Sequence, residues 1–596
     1  MHVQKTLKRS AVTLAHGLFR AREVVYVCAR RCKRQGSLVT RRDPALAELI
    51  PPKSIVGYDV MVYVGIERFV RHRQREEIRG SLEKEHGIHL SSGEISELGK
   101  RFVMYLETLH RDSAPALRAA LAADGGWPLH IDATCEDGRG TLLVAFAGWR
   151  RWVLGAWKIP TERGDAILPK LTEAATQFGP PCAIMRDLGA AVTEAASSLA
   201  NSLGLSIPIL ACHLHFLRDV GTDLLGGGHG KLRNLFRQMK LRKHLRGFAR
   251  KQGRLLGTAI DQARNEFCTW EPESLTNPRL PEGSAGIVAV RALAQWALDY
   301  AADGNGQDFP FDLPYLNFYV RCLHVAWAVS ALLRTPPADK RVAKALQKLD
   351  RILRSINSDD SPLEPVAQTL SERARIFTEL RAALRFTEGK LKGPEANGAG
   401  QTPGARVGSA LQALRDIRQA VDNLADSLRQ RHPKRGPAKD MRQAIDIVLA
   451  HLERHGKFLW DHAVSMPDQM GGGVRLVDRT NNILEGFFHT MKHGERRRSG
   501  RKNLAQDFER LPPAAAFAAN LTRPDYVSIV CGSLDQLPKA FARLDARDRS
   551  RPLSTLSRDR QQNCEVESAS LSSVDRSLVR TKELERFVLA AAGCAA

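Results

Sequence analysis

The hydrophobic period of this chain changes twice, and that limits what it can fold into. From Tyr58 to about His110, apolar residues recur at three- and four-residue spacings. From Pro128 the period becomes two. From about Phe216 to Gly473 nothing reads as strand, and Arg/Leu/Ala-rich helical pattern dominates. Such a chain is neither all-helical nor all-β: the pattern predicts an α/β segment set between helical blocks. Within it, "LHIDAT", "TLLVAFA" and "RWVLGAWKI" read as three strands joined by tight turns at Asp137-Gly138 and Gly148-Trp149. A helix is predicted from about Gly164 to Phe178, a strand at "CAIMRD", a helix from about Ala190 to Leu203, and a last strand at "IPILACH". The order βββαβαβ is mixed α/β with an antiparallel start.

The helical block before the strands has punctuation. Gly87 breaks one helix, and Ser91 with Glu94 forms an S-x-x-E capping box that opens the next. Ile95, Leu98 and Phe102 then face a core, while Ser96, Lys100 and Arg101 face outward. Helix, glycine turn and capped second helix read as a helix-turn-helix, with an ordinary helical hairpin as the alternative. In the first reading the second helix, from about Ser92 to His110, enters the major groove. Ser92 and Ser96 then lie near base edges, and Lys100 and Arg101 suit phosphate or base contact.

Composition narrows the partners. The 596 residues are 43% hydrophobic and 26% charged, as expected of a folding chain with several domains. The 89 Lys and Arg against 65 Asp and Glu leave a net charge of +24, which favours a polyanionic partner, nucleic acid first. No run of about 18 apolar residues is apparent, so no membrane span is expected. The basic N-terminus lacks the apolar core of a secretion signal. The 10 cysteines are scattered, as suits a reducing interior. "CARRC" supplies Cys28 and Cys32, half of a zinc site at most, and reads as two free thiols.

Three carboxylates stand in odd places. Asp132 lies inside the first strand, between Ile131 and Ala133, where a charge is costly unless compensated. Asp187 ends the fourth strand, and strand C-terminal ends are where α/β sheets build sites. If those strands are neighbours, the two aspartates sit side by side, repelling unless a cation lies between them. Glu485, in "RTNNILEGFFHTMKHGERRRSGRKN", sits among Ile483, Leu484, Phe487 and Phe488 on the inward face of a helix. It would bring a third carboxylate to a site for two magnesium ions, whose hard oxygen ligands these are. Arg496, Arg497, Arg498, Arg501 and Lys502 follow, placed for a negative backbone. Phosphodiester chemistry suits such a site. Taken singly, each acid could equally be a capping, surface or salt-bridged residue.

These residues resemble those of DDE-type DNA transposases with a ribonuclease-H-like catalytic domain, closest to Mutator-like and related bacterial insertion-sequence transposases. "HIDAT" holds the first acid, "MRDLGAAVTEAA" the second, and "TNNILEGFFHTMKHGERRRSGRKN" resembles the (T/S)N-x-x-E helix with the third. "CHLHFLRDV" resembles the Cys-x-x-His feature at Cys212 and His215. With Asn482, these two are expected as structural or active-site support and not as metal ligands. The resemblance implies a ribonuclease-H-like core over 126–215, an all-helical insertion over 216–473 and a return to the core over 474–526. Around these lie a basic segment over 1–57, the helix-turn-helix over 58–125 and a Ser/Arg-rich, partly disordered tail over 527–596. A flexible linker is expected at about 390 to 408. The resemblance also implies cleavage and strand transfer at element ends with two magnesium ions, for which manganese substitutes. It implies a homo-oligomer on double-stranded DNA and a cytoplasmic, nucleoid-associated protein. The alternative is a transposase-derived DNA-binding protein without catalysis.

Overall fold

The computed structural model describes residues 1–547, apart from 35–36, 205, 270–278, 357, 359, 387–402, 437, 467 and 469–471. Two compact units result: residues 1–210 with the described residues from 461 onward, and residues 211–460.

The first unit opens with an antiparallel hairpin, β1 (His2–Thr13) and β2 (Gly17–Val27), joined by a two-residue third strand, Thr40–Arg41. Sequence periodicity misses this sheet, because its outer positions carry Lys and Arg and hide the alternation. Its buried residues include Ala11, Thr13, Val25 and Val27, near its base. The Leu14 amide donates to Asp59 Oδ2 at 2.8 Å and ties the hairpin to the next layer.

That layer is α1 (Tyr58–Phe69), α2 (Arg75–His86) and α3 (Ser92–Asp112), followed by α4 (Ala114–Ala123). Gly87 ends α2 in the left-handed conformation, at φ +64°. Ser91 Oγ accepts from the Glu94 amide at 3.2 Å, and Glu94 Oε2 returns to the Ser91 amide at 2.7 Å, as the capping box predicts. At Gly65 a Cβ would fall 2.0 Å from the Phe102 ring, so α1 and α3 cross where only glycine fits.

The sheet has five strands: β3 (Pro128–Glu136), β4 (Arg139–Ala147), β5 (Trp152–Lys158), β6 (Ala183–Arg186) and β7 (Ile209–Ala211). Their spatial order is β7-β6-β3-β4-β5. β3, β4 and β5 pair antiparallel, while β3 and β6 run parallel, so the sheet is mixed. Helices α5 (Gly164–Phe178) and α6 (Ala190–Ser202) connect the later strands and bury Ile167, Leu171, Ala196 and Leu199. The βββαβαβ order read from the sequence holds, and the fold is mixed α/β.

The second unit is helical: α7 (His213–Gln238), α8 (Leu241–Leu256), α9 (Ile260–Thr269), α10 (Gly283–Leu298), α11 (Pro314–Arg334), α12 (Lys340–Leu353), α13 (Leu363–Ala383), α14 (Pro403–Gln430) and α15 (Lys439–His455). It fills 211–460, close to the insertion expected at 216–473. α11 is long and apolar enough to cross a membrane, unlike the sequence expectation. Its Phe318, Cys322, Val325 and Val329 are buried, and Arg321 pairs with Asp303 at 2.5 Å, as in the core helix of a folded unit. The linker expected at 390–408 falls largely outside the described residues.

The chain then returns to the first unit through β8 (Ala463–Ser465), β9 (Val474–Leu476), α16 (Asn482–Ser499), α17 (Ala505–Arg510), α18 (Pro524–Val530) and α19 (Leu537–Arg547). The tail expected from 527 starts too early: Val530, Leu537 and Phe541 are buried. Tyr58 and Tyr105 both donate hydroxyls to Asp545 Oδ2, each at 2.6 Å, which fixes α19 to α1 and α3. Leu537, Ala540, Phe541 and Leu544 recur there at helical spacing and are buried. Residues 548–596 lie outside the described residues.

Candidate active site

The parallel register decides where the two aspartates meet. Leu129 pairs with Ile184 and His130 with Met185. Extending that register by two residues sets Asp187 level with Asp132 on the adjacent strand. Asp132 Oδ1 accepts from the Ala133 amide at 2.8 Å, and Asp187 Oδ1 from the Gly189 amide at 3.2 Å, just before α6. Arg186 is fully buried beside them and donates to the Asp187 carbonyl at 2.7 Å.

Burial, the largest cause, and the neighbouring carboxylates together push the Asp132 carboxyl up to about 8. Asp187 is the largest of the Coulombic contributions to that rise, followed by Glu485 and Glu162. Four carboxylates therefore share one electrostatic neighbourhood, three of them those singled out in the sequence. Glu162, between β5 and α5, is the fourth; its carboxyl is itself raised, first by burial and then by Asp187. No local pattern marks Glu162, because its neighbours come from distant strands.

The helix carrying Glu485 is stitched onto the strand carrying Asp132. Asn481, fully buried just before α16, donates from Nδ2 to the Ile131 carbonyl at 3.1 Å. Its Oδ1 lies 2.9 Å from His130 Nδ1. Leu484 and Phe488 are buried, and Phe487 packs 6.2 Å from Phe146 of β4, so the apolar residues around Glu485 hold the helix on the sheet. The expected supporting residue, Asn482, is half-buried, and its neighbour Asn481 makes these bonds instead. His130 was also missed: it shares a sheet face with Asp132 at a spacing of two, and burial depresses its pKa and keeps it neutral.

The cations of α16 divide. Lys492 donates to the Cys135 carbonyl at 2.6 Å and pairs with Glu136 at 3.3 Å. Arg496 pairs with Glu136 at 2.9 Å, Arg498 with Glu495, and Arg501 with Asp507 at 3.5 Å. Arg497 and Lys502 are exposed. Thus three of the five cations expected to meet a substrate backbone also hold the helix and the following loop.

At α3, Ser92 and Ser96 are half-buried near the exposed first turn. Lys100 is exposed, and Arg101 pairs with Glu97 at 3.2 Å. Val103 to Leu106, Leu109 and His110 are buried: His110 Nδ1 lies 2.8 Å from the Tyr526 hydroxyl and Nε2 3.1 Å from the Leu154 carbonyl. Cys212 and His215 belong to the second unit, where Cys212 is the buried cap of α7. Cys28 and Cys32 are free thiols, with Cys28 Sγ 3.2 Å from Cys32 Sγ.

Among the described residues, no three His, Cys, Asp or Glu side chains are gathered closely enough to hold a metal ion. The donor chemistry nonetheless suits a hard divalent cation. The set is all carboxylate, and mutual repulsion with burial holds Asp132 protonated near neutrality, the condition a bound cation relieves. Comparison with protein-family models gives no match, and comparison with curated proteins gives none either.

Proposed function

We propose that the first unit is the ribonuclease-H-like catalytic core of a DDE-type DNA transposase, which cuts DNA at element ends and joins the freed 3′ hydroxyls to target DNA. The observation that carries this reading is the level placement of Asp132 and Asp187 on neighbouring parallel strands, with Glu485 brought toward them on a helix that Asn481 ties to β3. Asp132, Asp187 and Glu485 would hold magnesium or manganese. A bound metal would supply activation of a water or hydroxyl and charge neutralisation at the leaving oxygen. The chain's own groups do the rest. Glu136 orients Lys492 and Arg496 beside the site, and Arg497 and Lys502 are free to meet phosphate. The exposed first turn of α3 is available to a DNA groove as the second helix of a helix-turn-helix.

The test is incubation of the purified full chain with duplex DNA flanking its own gene, with and without magnesium, reading strand cleavage. Metal-dependent nicking that vanishes in Asp132→Asn, Asp187→Asn and Glu485→Gln is expected. Cleavage that persists in all three variants would overturn the assignment.

The absence of a tightly gathered trio among the described residues favours one second reading, a transposase-derived DNA-binding protein without catalysis. It predicts specific DNA binding, no cleavage under any divalent metal, and no effect of the three substitutions on binding.

A further inference from the structure

Between Asp223 and Asp261 the chain carries ten Lys and Arg residues and no Asp or Glu. This span covers the later part of α7 and all of α8, in the helical unit, and the three carboxylates have no part in it. α8 sorts its residues by face. Leu241, Leu245, Phe248 and Leu256 are buried, and the Ala249 carbonyl accepts from Arg291 Nε of α10 at 3.1 Å. Lys243, Arg246, Arg250 and Arg254 recur at three- and four-residue intervals on the opposite face, and all four are exposed. Arg237 and Lys240, exposed at the junction of α7 and α8, add to the same end.

We infer that this stripe is a binding surface for the phosphate backbone of duplex DNA, separate from the carboxylate site. Three features point to that partner. The stripe runs about 16 Å along α8, at 1.5 Å per residue. Phosphates of one strand lie about 3.4 Å apart along the duplex axis, so four cations span roughly five phosphates. With no acid in the span, the stripe carries no counterion of its own on α7 or α8 from Leu224 onward. The apolar face of α8 is already consumed by the core, which leaves no hydrophobic face to insert into a membrane surface, as an interfacial basic helix requires. Backbone contacts of this kind are blind to sequence and salt-dependent. The surface would therefore hold flanking or target DNA, whatever reads the element end.

The test uses the full chain with Lys243→Gln, Arg246→Gln, Arg250→Gln and Arg254→Gln combined. These exposed positions leave the core intact, which circular dichroism and the melting temperature check. A control removes equal charge from α12 through Lys340→Gln, Lys344→Gln, Lys348→Gln and Arg351→Gln. Binding to a 30-base-pair duplex of random sequence is measured from about 50 to 300 mM salt. Each lost phosphate contact lowers the salt slope by about 0.9, so the stripe variant should lose roughly two to four units of slope and about tenfold or more in affinity at 100 mM salt. The control should lose far less. Equal losses in the two variants would reduce the effect to net charge and overturn the surface. So would an unchanged slope in the stripe variant, or a loss confined to double-stranded RNA or to anionic lipid vesicles. Cleavage is read separately: a stripe variant with wild-type slope in a chain that still cuts DNA refutes the surface alone. A reduced slope in a chain that never cuts leaves the surface standing and refutes the catalytic reading.

Discussion

Asn481 Nδ2 donates to the Ile131 carbonyl at 3.1 Å, one residue before Asp132 and four before Glu485. One buried amide thus holds together the strand and the helix that carry the two most separated acids. Replacing it by Ala leaves the Ile131 carbonyl and His130 Nδ1 without this partner in a fully buried place, at a cost of about 1–3 kcal/mol for each buried group left unsatisfied. Asn481→Ala should lower the melting temperature and, in a catalytically active chain, reduce cleavage more than DNA binding. Asn481→Asp keeps an acceptor for His130 but loses the donor to the Ile131 carbonyl and buries a carboxyl, so it should destabilise as well. Wild-type melting in Asn481→Ala would show that the stitch contributes nothing.

The raised Asp132 carboxyl makes stability fall as pH rises. An ordinary aspartate ionises near 3.8, whereas this one ionises near 8 in the folded chain. Between those values the folded state holds a proton that the unfolded state has lost, so stability decreases with rising pH across the window and is lowest above about 8. Asp132→Asn mimics the protonated form and cannot ionise. Its melting temperature should come closest to wild type below about pH 4 and exceed it by a margin that grows up to about pH 8, read by scanning calorimetry in metal-free buffer. Magnesium should raise the wild-type melting temperature in that upper range, because it binds the deprotonated carboxylates, and should do less for Asp132→Asn. Parallel pH profiles for the two chains would count against a carboxylate held neutral by its surroundings.

The strands were legible because a half-buried sheet imposes a period of two, and "LHIDAT" and "TLLVAFA" keep it. Glu485 was legible because an acid flanked by Leu484 and Phe488 contradicts its own apolar context. Glu162 was not: its relation to Asp187 and Asp132 is Coulombic and exists only once the chain after β5 is brought back to the β3 and β6 strand ends. The N-terminal hairpin was hidden by exposed Lys and Arg where an outer face usually shows mixed polarity. Asn481 and Asn482 are adjacent and chemically alike. Only the buried position of Asn481 shows which of the two holds the strand.

Asp545 accepts from both Tyr58 and Tyr105, and it joins α19 to the α1–α3 layer from more than 400 residues away. Asp545→Ala removes the acceptor of two buried hydroxyls and should cost about 2–4 kcal/mol, on the scale of buried hydrogen bonds to a charged group. Chemical denaturation should show a lower midpoint with little change in slope. Phe for both tyrosines in the Asp545→Ala background removes the orphaned hydroxyls and should recover part of the loss. A midpoint unchanged in Asp545→Ala would mean that α19 is held by Phe541 and its apolar neighbours alone.

Lys100 and Arg101 are adjacent on α3 yet should respond differently. Lys100 is exposed and bears its charge outward, so Lys100→Ala should remove one phosphate contact and reduce the salt slope of binding to element-end DNA by about 0.9. Arg101 lies half-buried and pairs with Glu97 at 3.2 Å. Removing it does two things: it takes away a cation and leaves Glu97 as an uncompensated carboxylate on the face that meets DNA. Arg101→Ala should therefore weaken binding more than Lys100→Ala, and adding Glu97→Gln should restore part of that loss. Both effects require the N-terminal half of α3 to lie against DNA, because Val103 to Leu106 are buried by the fold. Ser92→Ala and Ser96→Ala, nearer the start of the helix, should change the preference among end sequences more than overall affinity. Competition binding with element-end and random duplexes reads both quantities. If all four positions leave affinity, slope and preference unchanged, α3 is a packing helix and recognition lies elsewhere in the chain.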